Sequence, residues 1–371
     1  MNELTLACPC IFGVESLVAD EIKTLGYTDI ITQNGRVTFK ADENAIARAN
    51  IGLRCAERVL ILLAEFDAHS FEELFQGVKA IEWERFIARE DAFPVKGWSL
   101  ESTLHSVPDC QAIVKKAAVE RLKHKYHVEW FKETGSKLQI QFSILKDRVS
   151  IFLDTSGEGL HKRGYRKNSN EAPLKETLAA AMCKIARFYL DRAFCDPLCG
   201  SGTILIEAAM LGLNMAPGIK RRFAAEDWHL NPQIWQAARA EAISQINMQP
   251  IEVFGYDIDP SAVALTLENA KLAGVGGVVK AAVQDIRKFA PSQPHGTVVT
   301  NPPYGERMLD ITAAEELYGV MGSVFLKLEG WRFYIISPSE RFETIFGKKA
   351  DKRRKLYNGM IKCEFFQYFR R

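Results

Sequence analysis

The sequence predicts an α/β protein: a parallel sheet wrapped by helices over residues 173–371, preceded by two small α+β units over 1–66 and 67–160. Three observations carry this prediction. Strand-like and helix-like runs alternate from about Pro173 to the C-terminal region, turns rich in glycine and proline close two of the strands, and the first 160 residues mix the same periods in a different order. The 371 residues exceed one ordinary domain, and a hydrophobic share of 47% supplies enough apolar side chains for two or three cores.

In the first unit, Val14, Leu17, Val18, Ile22 and Leu25 recur at helical spacing and stop at Gly26. The alternating stretch Gly35–Phe39 follows as a strand. Asp42 can cap a second helix through about Leu53, and Ala56–Phe66 reads as a buried strand. The second unit has a helix over 71–81, a strand over 93–102, a basic amphipathic helix over 109–126, and strands near 137–145 and 149–153. On the basic helix Val114, Ala117, Ala118 and Leu122 make the apolar side. Lys115, Lys116, Arg121, Lys123 and Lys125 spread over the rest as candidate phosphate contacts. A solvated helix face is the plainer reading of the same charges.

Residues 161–172 read as a linker, rich in glycine and polar groups, whose Lys162, Arg163 and Arg166 are further candidate RNA contacts. Beyond it the spacing predicts a helix over 173–190, a strand over 193–197, helix 202–211, strand 251–257, helix 260–273, strands 278–283 and 296–300, helix 313–328 and strand 331–337. Residues 214–249, with Trp228, Pro232 and Trp235, interrupt that alternation as an insertion.

The formal net charge of +2 means that any affinity for nucleic acid must come from local basic clusters. No apolar run is long enough for a membrane span, and the start lacks the pattern of a signal peptide, so a cytoplasmic protein is expected. The eight cysteines form no paired CxxC sets, and neither a disulfide framework nor a metal site is expected.

The run Ala193–Asp196 leads through Pro197-Leu-Cys-Gly-Ser-Gly-Thr203 into a helix, so a glycine-rich turn sits at the carboxyl end of the first parallel strand, where open α/β sheets bind ligands. Position 205 is Leu where a dinucleotide fingerprint has its third glycine, and no GK[ST] follows. An acidic residue entering the loop would repel phosphate but could hold a cation. The turn therefore suits the charged amino-acid end of S-adenosylmethionine, with Asp196, Cys199, Gly200, Ser201, Gly202 and Thr203 as its lining. At the second strand end, Asp257 can accept both ribose hydroxyls and Ile258 can cover adenine, while Asp259-Pro260 reads as a helix cap. At the third, Asp285 suits the adenine amino group.

The fourth strand ends in Asn301-Pro302-Pro303-Tyr304-Gly305. An exocyclic base amine is a poor nucleophile because its lone pair is delocalised into the ring. Acceptors for its hydrogens, the Asn301 carboxamide oxygen and the Pro302 carbonyl, would let the nitrogen become tetrahedral. Tyr304 offers a ring for stacking the base, and Asn301 also borders the cofactor.

With these motifs the chain resembles the THUMP-containing class I RNA methyltransferases, close to the N-terminal half of the RlmL-type guanine-N2 methyltransferases of large-subunit ribosomal RNA. The resemblance spans essentially the whole chain. It rests on His161-Lys-Arg-Gly-Tyr-Arg166, Ala172–Leu178, Asp196–Thr203, Ala216-Pro-Gly218, Asp257–Asp259 and Asn301–Gly305. It implies a ferredoxin-like module and a THUMP RNA-binding domain ahead of a seven-stranded Rossmann-like methyltransferase domain that ends in a hairpin near Lys355–Tyr357 and Lys362–Phe369. It also implies that Pro173 and Leu174 help hold the methionine part of the cofactor. The expected activity is methylation of guanine N2 in 23S ribosomal RNA, with structured RNA as partner and no membrane or obligate protein partner. Guanine N2 in tRNA, adenine N6 in RNA or DNA, and a non-catalytic RNA-binding protein are the alternatives. The Asn-Pro-Pro-Tyr motif serves either base, whereas loss of the loop residues would mark the non-catalytic case.

Overall fold

The computed structural model describes residues 3–166, 174–187, 192–247, 249–305 and 311–369. The chain opens on a strand that its composition conceals, β1 (Leu4–Pro9), in which Leu4, Leu6 and Cys8 are buried. Then come α1 (Glu15–Thr24), β2 (Ile31–Gln33), β3 (Arg36–Ala41), α2 (Asn44–Gly52), β4 (Leu60–Asp67), α3 (Phe71–Lys79), β5 (Val95–Leu100), α4 (Val107–Tyr126), β6 (Ile140–Leu145) and β7 (Arg148–Asp154).

The two N-terminal units share one seven-stranded sheet, in the order β2-β3-β1-β4-β7-β6-β5. The join is the long strand β4, antiparallel to β1 on one side and to β7 on the other. Both β1 and the first part of β4 carry apolar residues on successive positions, as strand segments covered on both faces do.

The second half contains α5 (Glu176–Ile185), β8 (Ala193–Asp196), α6 (Thr203–Gly212), α7 (Gln233–Ser244), β9 (Val253–Asp257), α8 (Pro260–Ala273), β10 (Val279–Val283), β11 (Gly296–Thr300), α9 (Ile311–Phe325), β12 (Trp331–Ser337), α10 (Phe342–Phe346), β13 (Lys352–Asn358) and β14 (Ile361–Tyr368). The short helix α10 is absent from the sequence prediction. The start of the helix expected at Pro173, and its last residues 188–190, lie outside the described residues. The sheet order is β10-β9-β8-β11-β12-β14-β13, with β14 antiparallel to both neighbours. On one face, aromatic rings fill a core in which Phe325 stacks on Phe333 at 4.8 Å and Phe342 on Phe366 at 4.6 Å. On the other, a continuous core runs from the N-terminal sheet through α5 and α6.

The insertion between α6 and β9 is a docking piece. Arg48 on α2 makes a bidentate pair with Glu241 on α7, at 2.8 and 2.7 Å. Trp228 donates to the Lys137 carbonyl at 3.1 Å, and Gly218 lies so close to α2 that a Cβ there would stand 2.7 Å from the Asn50 carbonyl oxygen. The insertion thus ties the N-terminal sheet to the parallel sheet.

Candidate cofactor and catalytic site

Strand order decides where chemistry can occur. The chain crosses from β8 to β9 and β10 on one side and returns to β11 on the other, so loops at the carboxyl ends of β8 and β11 diverge and leave a crevice. The pairing places Asp196 opposite Gly255 and Val283 opposite Asp257, while Cys195 faces Val298. Asp196, Asp257, Asp285 and Asn301 therefore stand along one rim, from four strands in a row.

The glycine-rich turn is built as its composition suggests. Gly200 has φ +52° and Gly202 φ +81°, left-handed values that glycine adopts without strain. A Cβ on Gly200 would meet nothing within 4 Å, whereas one on Gly202 would stand 2.8 Å from Thr266. The Gly200 N–H donates to Asp257 Oδ2 at 2.9 Å, and the Asp259 N–H donates to Oδ1 at 3.0 Å. Each carboxylate oxygen keeps further lone-pair capacity, so Asp257 is oriented for two hydroxyls. Ile258 beside it is 66% exposed, an apolar side chain free to cover a ring. Asp259 caps α8 through the Ser261 N–H. Asp285 accepts the Arg287 N–H and pairs with its guanidinium at 3.1 Å, contacts that hold its carboxyl below the usual range.

Asp196 differs from these. It is 2% exposed, its Oδ1 accepts the Leu198 N–H at 3.2 Å, and burial pushes its carboxyl up to about 7, with the Asp257 charge adding to the shift. A buried carboxylate at the mouth of a left-handed glycine turn is a site for a cation. Cys199 packs beneath it with Sγ 3.7 Å from Thr266 Oγ1, and burial pushes its thiol up. All eight cysteines are free thiols, and seven of them are buried. Leu174 is buried ahead of α5. Pro173 lies outside the described residues.

Several residues that hold the site were missed at the level of sequence. On α8, Thr266 donates to the Gly200 carbonyl at 2.8 Å and Asn269 to the Ser201 carbonyl at 3.0 Å. Their signal was a polar pair three apart that is completely buried on an otherwise apolar helix side. Asn358, at the end of β13, donates to the Tyr304 hydroxyl at 3.3 Å.

The linker cations need correction. Arg163 is 5% exposed and donates to the carbonyls of Leu160 and Arg54, at 2.6 and 2.5 Å, and to Glu207. It is a structural cation at the junction of the two halves and cannot reach a phosphate. Arg166 turns inward as well, donating to Thr203 Oγ1 at 2.5 Å and to the Leu174 carbonyl at 3.3 Å, and pairing with Glu176 at 3.5 Å. It braces the cofactor turn. Lys162 is exposed and pairs with Glu158, four residues earlier in the same loop.

On α4 the charges divide. Lys115 is bound to Glu133 and lies 3.5 Å over the Phe93 ring, and Arg121 makes a bidentate pair with Glu84 at 2.6 and 3.2 Å, so both are committed within the molecule. Lys116 and Lys125 are exposed, and Lys123 reaches only a fully exposed Glu129 at 3.8 Å.

At the end of β11, Pro302 is buried, and Tyr318 donates to the Pro303 carbonyl at 3.0 Å, which holds the turn. Tyr304 is not the open stacking ring expected of it. Its hydroxyl donates to Asn301 Oδ1 at 2.6 Å, its ring packs against the core, and burial pushes the phenol well above its ordinary value. The Asn301 oxygen that would serve a base amine thus accepts from the Tyr304 hydroxyl and keeps a second lone pair for an arriving amine.

If Asp257 holds two ribose hydroxyls, Asp257→Ala should weaken S-adenosylmethionine binding at least tenfold, about 1.4 kcal/mol. Titration calorimetry decides it. An unchanged affinity would move the ribose contact elsewhere.

Comparison with known proteins agrees with this geometry. Residues 163–367 match the RMKL-like methyltransferase domain, 5–60 the RlmL ferredoxin-like domain and 68–154 the THUMP domain. The chain is 45% identical over its full length to 97% of the Bacillus subtilis protein named "Putative RNA methyltransferase YpsC". Among solved structures it is similar to a possible methylase from Clostridium difficile 630, at TM-score 0.95 and 48% identity over 99% of this chain and 98% of that one. It is also similar to the methyltransferase-like SMU.472 complexed with SAH, at TM-score 0.94 and 40% identity over 100% and 99% of the two chains. A Listeria monocytogenes structure described as a predicted N6-adenine-specific DNA methylase matches at TM-score 0.94 and 45% identity, over 100% and 97%. The glycine turn, the acidic rim and these matches together place the chain in the THUMP-containing, RMKL-like family of methyltransferases, whose cofactor is S-adenosylmethionine.

Proposed function

We propose that the protein methylates an exocyclic base amine in structured RNA, with guanine N2 of 23S ribosomal RNA as the target. The observation that carries this reading is Asn301 at the rim of the cofactor crevice, its carboxamide oxygen already accepting a short hydrogen bond at 2.6 Å. When bound, S-adenosylmethionine supplies a methyl carbon made electrophilic by the positive sulfur. Asn301 Oδ1 accepts one amine hydrogen on its second lone pair, beside the Tyr304 hydroxyl, and the Pro302 carbonyl accepts the other. The nitrogen then turns its lone pair toward the methyl carbon. Asp196 and Asp257 would hold the two ends of that cofactor, which would supply its methyl group to the nitrogen, and the excess proton on nitrogen would pass to water.

The THUMP domain supports RNA over DNA, and YpsC carries an RNA methyltransferase name. The Listeria relative's name favours adenine N6 as a second reading, because the same acceptor pair serves that amine. Mass spectrometry of nucleosides from ribosomal RNA, tRNA and DNA of cells lacking the gene tests both. Loss of N2-methylguanosine from 23S RNA supports the first reading, and loss of N6-methyladenine from any of the three overturns it.

RNA affinity should depend on the three lysines of α4 that are not held by a buried or bidentate acidic partner among the described residues. Replacing Lys116, Lys123 and Lys125 with Gln should lower both affinity for ribosomal RNA and its salt dependence, with cofactor binding intact. The same change at Lys115 should act through stability instead. Filter binding at several salt concentrations separates the two, and an unaltered slope for the triple variant would return α4 to an ordinary solvated face.

A further inference from the structure

The catalytic turn is bordered by a surface that neither half of the molecule makes alone. On the N-terminal side, the loop after β1 carries Phe12, 45% exposed. On the other, β13 presents Lys355 and Tyr357, two residues apart and so on one side of the strand. The Phe12 and Tyr357 rings meet edge to face at 6.2 Å, and Lys355 Nζ lies 5.9 Å and 5.5 Å from their centroids. The contact is held firmly. Arg354 donates to the Gly13 carbonyl at 2.9 Å and to Ser16 at 3.2 Å. Gly13, at φ +93°, approaches so closely that a Cβ would stand 2.7 Å from the Lys355 carbonyl oxygen.

This surface stands at the same end of the sheet as the catalytic turn, since Lys355 pairs with Glu364 and Glu364 with Ser337 at the end of β12. Asn358, on the opposite side of β13 from Lys355 and Tyr357, donates to the Tyr304 hydroxyl. Gly359, at φ +62°, opens the two-residue turn of the hairpin, and Met360 at its tip is 98% exposed, followed by the exposed Lys362. Lys355 lies across the ladder from Glu364 but makes no ion pair with it among the described residues. Rings, an exposed thioether and two lysines, Lys355 and Lys362, that form no ion pair among the described residues, beside a turn that must receive an unstacked base, match the chemistry of single-stranded nucleic acid. Bases stack on the apolar faces and phosphates meet the cations.

We infer that Phe12, Lys355 and Tyr357, with the Met360 tip, hold the RNA nucleotides next to the target base and so position that base at Asn301. The inference rests on the RNA reading above and deepens it by assigning a contact outside the THUMP domain. These are positioning residues, so they act on substrate capture more than on the chemical step.

The test uses the full-length protein with ribosomal RNA and tRNA from cells lacking the gene, following methyl transfer from labelled cofactor. Phe12→Ala and Lys355→Gln should each raise KM for RNA about tenfold, the loss of one stacked base or one phosphate contact, with kcat and cofactor affinity near wild type. Phe12→Trp, which keeps a ring, should restore most of the loss. Values of KM within twofold of wild type for both variants would overturn the inference. So would a defect in Phe12→Ala that Trp does not repair while Lys355→Gln is normal, since that pattern marks a docking contact alone. A wild-type enzyme that methylates neither RNA sinks the RNA reading itself, an outcome visible before any variant is measured.

Discussion

Asn301→Ala should lower the methyl-transfer rate by about two to three orders of magnitude while leaving fold and cofactor affinity nearly intact, the usual consequence of deleting one preorganised polar partner of a transition state. The side chain is half-buried, and its best-defined contact is the Tyr304 hydroxyl at 2.6 Å. Losing that contact alone leaves the phenol with Asn358 and Cys363, so the turn should survive. The pairing also sets the expectation for Tyr304→Phe, which removes that donor. Its turnover should stay close to that of wild type, because the Asn301 oxygen has a lone pair for the amine with or without the hydroxyl. Single-turnover methylation with saturating cofactor reads both variants. A fully active Asn301→Ala enzyme would remove amine activation from this turn, and a Tyr304→Phe enzyme as slow as Asn301→Ala would show that the hydroxyl itself takes part.

The second large effect is expected at Asp196. Its carboxyl is pushed up to about 7 by burial, against an ordinary value of 3.8. With the folded value raised above the unfolded one, the group's contribution to stability is fully present below about pH 4 and is lost as pH rises through about 7. Above pH 7 the protein without cofactor carries a buried anion with little compensation. Asp196→Asn should therefore raise the melting temperature most at pH 8, less at pH 5.5, and little below pH 4. The same substitution should weaken S-adenosylmethionine binding by about ten- to a hundredfold at pH 8, because a charge-assisted partner for the cationic amino-acid end is removed. In the wild-type protein the affinity should decline as pH falls from 7 to 5.5, since Asp196 then takes a proton that the bound cation would exclude. Scanning calorimetry and cofactor titration at these pH values check these outcomes. A stabilised variant with unaltered affinity would leave Asp196 as a purely structural anion.

Much of the site was legible in the order of residues because each part of it is local. The glycine turn, the Asp-Pro cap at Asp259 and the Asn-Pro-Pro-Tyr turn are short segments whose backbone preferences are written in a few neighbouring side chains. Alternation of strands and helices then dictates a parallel sheet and places the carboxyl ends of β8 to β11 on one rim. The strands β11 and β12 and the helix α8 accordingly occupy the spans predicted for them.

What the tertiary structure alone decided are matters of partner, which no period in the sequence encodes. A guanidinium in a linker reads as a phosphate ligand until its surroundings are known. Arg163 and Arg166 are instead drawn inside by Glu207, Glu176 and free carbonyls, because a buried carboxylate left unpaired is costlier than a solvated arginine lost. The strand β1 was concealed by Ala7, Cys8 and Pro9, weak strand formers that pairing on both edges overrides. The Tyr304 ring, open by motif, is turned into the core by Asn358 from a hairpin more than fifty residues away. Local propensity determined the elements and the chemistry they carry, while long-range pairing of charges and hydrogen-bonding groups decided which of those side chains face the crevice.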